Sequence, residues 1–134
     1  MAGTVIDLSK YRLDKAKENL SIAKKLYADD ALEFAQNRAY YAAFDAMRAV
    51  NALDGFDSSK HSGVQAHFNQ AHVKTGDFSG NVSKIIKSVA QLREKSDYED
   101  FYIPSKEETE QSINNVKEFV EMIEVYLRNR WESM

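Results

Sequence analysis

The chain contains no cysteine, which excludes disulfides, thiolate nucleophiles and cysteine-ligated zinc in one step. One proline and five glycines in 134 residues leave long stretches without helix breakers, so extended helices are possible almost everywhere. The apolar runs are a few residues long, far short of the ~20 that cross a bilayer, and no membrane association is expected. Met1 to Leu13 shows no basic segment leading into an apolar one, so a secretory leader is not expected and the predicted location is cytoplasmic. An excess of positive charge is missing too: 18 lysines and arginines stand against 21 aspartates and glutamates, a net charge of -3. Binding to phosphates would therefore rest on a local cluster of cations, with salt-sensitive and modest affinity.

What remains is the composition of a folded domain, 43% hydrophobic and 29% charged, which argues against intrinsic disorder. The length suits one domain over residues 1–134, with an ordered core from about 8 to 130. Leu13, Ala16, Leu20, Ala23 and Tyr27 recur at three- and four-residue steps among lysines, the pattern of an amphipathic helix. Ser9 is the expected N-cap of that helix, and Asp29-Asp30 the turn that ends it. A second helix is predicted from Ala31 to about Leu53, apolar around much of its circumference through Phe34, Tyr41, Phe44, Val50, Leu53 and a run of alanines. Gly55 closes it. After a polar loop ending at His61, a short helix is expected over Val64–Val73, then a turn at Lys74-Thr75-Gly76-Asp77. Phe78, Val82, Ile85, Ile86, Val89 and Leu92 mark another helix, and Ser96–Pro104 an acidic, aromatic loop. Ser105-Lys106-Glu107-Glu108 is a capping box directly after the proline. Ile113, Val116, Val120, Ile123 and Leu127 are the buried stripe of the last helix. No alternating strand pattern competes, so the fold class is all-α: an up-and-down bundle of four main helices plus a short one.

The chemistry-bearing residues concentrate in the second helix. Asn37-Arg38-Ala39-Tyr40-Tyr41-Ala42-Ala43-Phe44-Asp45-Ala46-Met47-Arg48 sets two arginines and an aspartate into an alanine- and aromatic-rich segment. Residues three, four or seven apart share a helix face, so Arg38, Asp45 and Arg48 form one polar stripe. Two readings fit it. One is an ion-pair ladder that fixes helix register; the other is an anion-binding or catalytic seam at a groove or a subunit interface.

This segment resembles the core helix of the HEPN family. Lys60-His61-Ser62-Gly63, Val73-Lys74-Thr75-Gly76 and Leu92-Arg93-Glu94-Lys95-Ser96-Asp97-Tyr98 resemble the later landmarks of the compact prokaryotic HEPN proteins of the UPF0332 type, in the same order. The resemblance covers nearly all of Leu8 to Leu127. It implies the same helical bundle, a homodimer through the Arg38 and Asp45 helix, and a place in a prokaryotic toxin–antitoxin or stress-response pair. There the HEPN protein acts on RNA and a minimal nucleotidyltransferase neutralises it or binds beside it.

HEPN ribonucleases carry an arginine and, further along the same helix, a histidine. Here the arginine is Arg38 and the histidine position holds Asp45. Cleaving RNA without a metal takes a base for the 2′-hydroxyl proton, an acid for the leaving oxygen and a cation for the phosphorane charge. Imidazole, with a pKa of about 6.5, serves both proton roles near neutrality, whereas a carboxyl at about 3.9 is a poor acid unless burial raises it, and a neighbouring Arg38 would lower it further. Three substitutes are available: Asp45 as base alone, His61 folding over the seam, or the Tyr41 hydroxyl. A metal-independent endoribonuclease with weakened or lost activity is one reading. A non-catalytic dimer that scaffolds a nucleotidyltransferase or a nucleotide is the alternative.

Asn37, Tyr41, Arg48, Arg93, Tyr98 and Tyr102 are the candidate RNA- or partner-binding residues, with Tyr98, Phe101 and Tyr102 offering a stacking platform. Arg93 and Asp97, four apart, are expected to pair at a helix end and anchor the acidic loop. His67 and His72 are five apart, which on an α-helix places them on different sides, so exposed or capping roles are expected and no metal site or cofactor is predicted. Tyr126, Arg128, Arg130 and Trp131 read as a frayed basic-aromatic end.

Overall fold

A computed structural model describes residues 2–134, with side chains considered from Thr4 onward. Five α-helices follow one another: α1 (Ala2–Ala28), α2 (Leu32–Leu53), α3 (His61–Phe68), α4 (Asn81–Tyr98) and α5 (Lys106–Ser133), with a π-helical turn at Asn69–Val73 directly after α3. Four are long and one is short, as the periodicity predicts, and no strand occurs among the described residues.

Cross-helix contacts give the directions. Ser9 meets Ala49 and Asn19 meets both Asp45 and Arg38, so residue numbers rise along α1 as they fall along α2: the pair is antiparallel. Tyr27 with Glu110, Lys17 with Glu124 and Ser9 with Trp131 run α5 antiparallel to α1. Asn37 with Asp97 and Tyr41 with Arg93 do the same for α4 against α2. Helix α2 is therefore the hub, packed by α1, α4, α5 and α3. All seven of its alanines are buried, and their small side chains let the neighbouring backbones come close. Phe68, Phe119 and Met47 are the largest fully buried side chains and fill the space around it.

The capping box is present: Ser105 Oγ accepts from the Glu108 amide and Glu108 Oε1 from the Ser105 amide. The α2 helix ends where Gly55 takes a positive φ of 75°, a conformation that favours glycine. Asp30, also at positive φ, closes α1 in the Asp29-Asp30 turn.

Four local expectations are corrected. Helix α1 begins at Ala2 and Ser9 lies inside it, fully buried; its hydroxyl donates to the Ala49 carbonyl at 2.7 Å instead of capping an end. Helix α3 starts at His61, not Val64, with the Ser58 hydroxyl accepting from the Lys60 amide ahead of it. Helix α4 continues through Tyr98, so the acidic loop begins at Glu99. The C-terminal end is anchored and not frayed: Trp131 Nε1 donates to Ser9 Oγ at 3.0 Å and Arg130 Nη2 to Asp54 Oδ1 at 2.8 Å. Ser9 thus ties α1 to both α2 and α5, and removing its oxygen would leave the indole N–H without its partner. Ser9→Ala is expected to lower the unfolding free energy by about 1–3 kcal/mol, read from urea titration; an unchanged midpoint would show the buried hydroxyl to be dispensable.

Candidate functional site

Because α2 is covered on most sides, little of it reaches solvent. Phe34, Arg38, Tyr41, Asp45 and Arg48, spaced by alternate steps of four and three, form an accessible strip, with Phe34 and Arg38 exposed and the rest half-buried; Leu32, Glu33 and Asn37 are half-buried near its start. The sequence stripe therefore lies on the part of the central helix that a ligand can touch.

Arg38 and Asp45 do share this face, but they do not pair directly. Asn19 of α1 stands between them, its amide nitrogen donating to Asp45 Oδ2 at 2.8 Å while its carbonyl oxygen accepts from Arg38 Nη1 at 3.0 Å. Further along, Asp57 Oδ1 accepts from Arg48 at 2.8 Å and from Arg12 at 3.3 Å. Burial pushes the Asp45 carboxyl above the ordinary carboxylate range, against the Asn19 hydrogen bond and the charges of Arg12 and Lys15. Desolvation thus outweighs the surrounding cations, which is the condition under which an aspartate here can serve as an acid.

Arg38 differs from every other arginine. Arg12, Arg48, Arg93, Arg128 and Arg130 each lie against a carboxylate; among the described residues Arg38 is the one arginine without such a partner, held only by the neutral amide of Asn19. Its positive charge faces solvent uncompensated.

A second cluster gathers on the α2, α3 and α4 side. His61 does not fold over Arg38 and Asp45. It stacks on Phe44 with ring centroids 4.4 Å apart, lies against Tyr40 and Tyr41, and brings Nδ1 to 2.5 Å from the Tyr40 hydroxyl. Gln65 Nε2 donates to that same hydroxyl at 3.3 Å, so the Tyr40 proton is directed at His61 Nδ1 and the imidazole carries its own proton on Nε2. Burial and the charge of Arg93 lower the His61 pKa, which favours this neutral form. Arg93 sits over the rings of Tyr40, Tyr41 and Tyr98 and donates to the Tyr41 hydroxyl at 3.4 Å. Asp97 Oδ2 lies 2.9 Å from Arg93 Nε in the last turn of α4, the expected helix-end pair next to the acidic loop, and it also accepts from Asn37 at 3.1 Å, which ties this end of α4 to α2. Tyr40, His61, Ser62, Gln65, Arg93 and Tyr98 line a cleft of about 550 Å³.

The candidates therefore divide. Arg38, Asp45 and Arg48 form the α1–α2 seam; His61, Arg93 and Tyr98 line the aromatic cleft, with Tyr41 packed behind it against His61 and Arg93 and Asn37 reaching it only through Asp97. Phe44 joins the two, stacked on His61 and 5.7 Å from the Arg48 guanidinium. Tyr102 belongs to neither and lies against Lys95 and Glu108, while Phe101 is wholly exposed. Asn19, Arg12, Asp57, Tyr40 and Gln65 complete the clusters and were not singled out as site residues by the sequence.

The histidine expectation is corrected as well. His67 and His72 lie on the same side, both with Nε2 against Asp54 Oδ2, at 2.9 and 2.6 Å. The π turn causes this, since its backbone bonds reach five residues, as from the Lys74 amide to the Asn69 carbonyl. His72 is buried, and its Nδ1 meets Asp77 Oδ2 at 2.9 Å. Burial works against ionisation of Asp54, but the hydrogen bonds from His67, Arg130 and His72 outweigh it and keep its carboxyl below the usual range.

The fold and site define an all-α bundle with a polar arginine strip on its central helix. The family model described as HEPN domain matches residues 9–126, and the chain belongs to that family. A UPF0332 protein of Thermotoga maritima is 34% identical over 86% of this chain and 87% of its own length. A Methanocaldococcus jannaschii protein whose name reads "Putative toxin MJ0605" is 34% identical over 87% of this chain and 86% of its own. The crystal structure of TT1696 from Thermus thermophilus shares the fold, with a TM-score of 0.73 at 16% identity, over 88% of this chain and 97% of that one. Among the described residues no helix is long and apolar enough to cross a membrane.

A histidine whose folded pKa is depressed contributes stability that is complete above its unfolded value of about 6.5 and is lost as pH falls through the folded pKa. Wild type is therefore expected to melt increasingly above His61→Gln as pH rises from about 5 to about 8. A melting difference that stays constant over this window would show that the Tyr40–His61 pair does not titrate with folding.

Proposed function

We propose that this protein is a HEPN toxin-type component of a prokaryotic toxin–antitoxin or stress-response pair, acting on RNA in the cytoplasm as a homodimer, with a weakened ribonuclease site at Arg38 and Asp45. The observation that carries the reading is the uncompensated guanidinium of Arg38 beside a carboxyl whose pKa burial has raised. A phosphodiester supplies the anion that Arg38 lacks. Asp45, moved toward neutrality, is better matched to proton transfer than an ordinary aspartate. It would take the 2′-hydroxyl proton as that oxygen attacks the adjacent phosphorus. Arg38 would stabilise the charge on the phosphorane, and the leaving 5′ oxygen would take a proton from water or from the counterpart carboxyl of a second copy. The exposed Phe34 ring at one end of the strip supplies apolar area for pairing two copies. A minimal nucleotidyltransferase is the partner that the HEPN resemblance implies.

The bridging of Arg38 and Asp45 by Asn19 favours a second reading. A neutral amide occupying both groups suits a seam that sets helix register, with the domain serving as a scaffold for the nucleotidyltransferase or a nucleotide.

Metal-free cleavage of a labelled RNA mixture by wild type, Arg38→Ala and Asp45→His, with dimerisation measured for each, separates the two. On the ribonuclease reading wild type cleaves slowly, Arg38→Ala is silent with its melting temperature nearly unchanged, and Asp45→His gains about 10²–10⁴-fold in rate. Cleavage by Asp45→His alone identifies a degenerate site that works by binding. Silence from all three, with Arg38→Ala weakening the dimer, overturns RNA chemistry at this seam.

A further inference from the structure

Each of the three contacts that His67 and His72 make with Asp54 and Asp77 joins an imidazole nitrogen to a carboxylate oxygen. Both are acceptors until something positive sits between them, either a proton on the ring or a metal ion in its place. His72 is the constrained member. Its side chain is 4% exposed, and it faces a carboxylate from each ring nitrogen. If Nδ1–H is given to Asp77, the Nε2 lone pair points at Asp54 Oδ2, where His67 Nε2 also points.

We propose that Asp54, His67 and His72 bind a divalent transition metal of the zinc class, with Asp77 as the outer carboxylate that orients His72. The three ligand atoms lie within 4.8 Å of one another. Tetrahedral zinc with bonds of about 2.0–2.1 Å separates its ligands by roughly 3.3 Å, so the present contacts of 2.6 and 2.9 Å need to open by about half an ångström for an ion to enter. The Asp77–His72–metal relay is the arrangement that fixes a ligating imidazole in one tautomer. Arg130 and Tyr126 complete the surroundings. Arg130 occupies Asp54 Oδ1 at 2.8 Å, which leaves Oδ2 as a single ligand atom, and also donates to the Tyr126 hydroxyl at 3.1 Å. Its positive charge opposes a cation, but Asp54 and Asp77 together outweigh it. The side chains of Asp54 and His67 are 19% and 25% exposed, so an ion has a path from solvent. Phe56 stacks on His67 at 4.2 Å and holds its ring in place.

The independent mark of a built site is the π turn. Such turns are rare and concentrate at functional positions, and this one is what brings histidines five apart onto one carboxylate. Three protein ligands leave a fourth position for water, the donor set of imidazole and carboxylate that suits zinc and its neighbours.

The test uses the full chain without an affinity tag, stripped of metal by a chelator, and titrated with zinc by calorimetry. Cobalt is substituted in parallel to read geometry from its visible absorption. One equivalent of zinc, a rise in melting temperature on binding and a tetrahedral cobalt spectrum are expected. His67→Gln should lower the affinity by at least about tenfold while circular dichroism shows the same helix content, and His61→Gln should leave zinc binding unchanged. Asp77→Asn, at an exposed position, should weaken binding by about 10–100-fold and serves if His67→Gln fails to fold. Absence of stoichiometric binding, or binding that His67→Gln and Asp77→Asn leave intact, overturns the site.

Discussion

The close packing of α2 is the constraint on which the rest depends. A helix with seven buried alanines and neighbours on nearly every side has few positions at which a charged side chain avoids desolvation. Arg38 escapes by pointing out, Arg48 is compensated by Asp57, and Asp45 stays desolvated with the Asn19 amide offsetting part of the cost. Were α2 a peripheral helix, these groups would be solvated and screened, and worth little to each other. Burial makes the placement of each one consequential. The same packing leaves little of α2 open to ligands, and the polar stripe lies on that open side.

Much of this was legible in the residues alone. Helical periodicity marks four long elements, since each buries one apolar stripe and the sequence contains almost nothing that would break a helix. The capping box at Ser105 is local chemistry and holds as read. Some errors are local, in the ends of α3 and α4 and in the π turn, and the others fall where the deciding partner is remote. Ser9 has the residue type of an N-cap, but its hydroxyl is engaged by Ala49 and by Trp131, 40 and 122 residues away; nothing in its neighbourhood signals that. Trp131 and Arg130 look like a loose end for the same reason. Asn19 is an unremarkable amide in a lysine-rich helix until α2 is laid beside it.

The candidate site was legible as a list and not as an arrangement. Helical spacing places Arg38, Asp45 and Arg48 on one face, and that much survives. Which groups touch which does not follow from spacing: a neutral amide stands between the first two, and His61 turns to the aromatic side where Tyr40, Phe44 and Arg93 receive it. Phe44 touches both sides, so a change in His61 stacking would be felt next to Arg48 through a single ring. The raised carboxyl of Asp45 also inverts the simple argument from charge, because a partly buried acid answers to its dehydration before it answers to cations that are themselves half-solvated or paired elsewhere.

The loop after α2 links these parts more tightly than its length implies. Asp54 accepts from Arg130 of α5 and lies against the ring nitrogens of His67 in α3 and His72 in the π turn, and Asp57 accepts from Arg12 of α1 and Arg48 of α2. Two carboxylates three residues apart thus draw on every helix except α4, within a segment that has no regular structure of its own. Gly55 between them supplies the positive φ that lets the chain turn from one set of partners to the other. The same short loop therefore carries one carboxylate of the histidine cluster and the carboxylate that holds the two arginines at the far end of the α1–α2 seam.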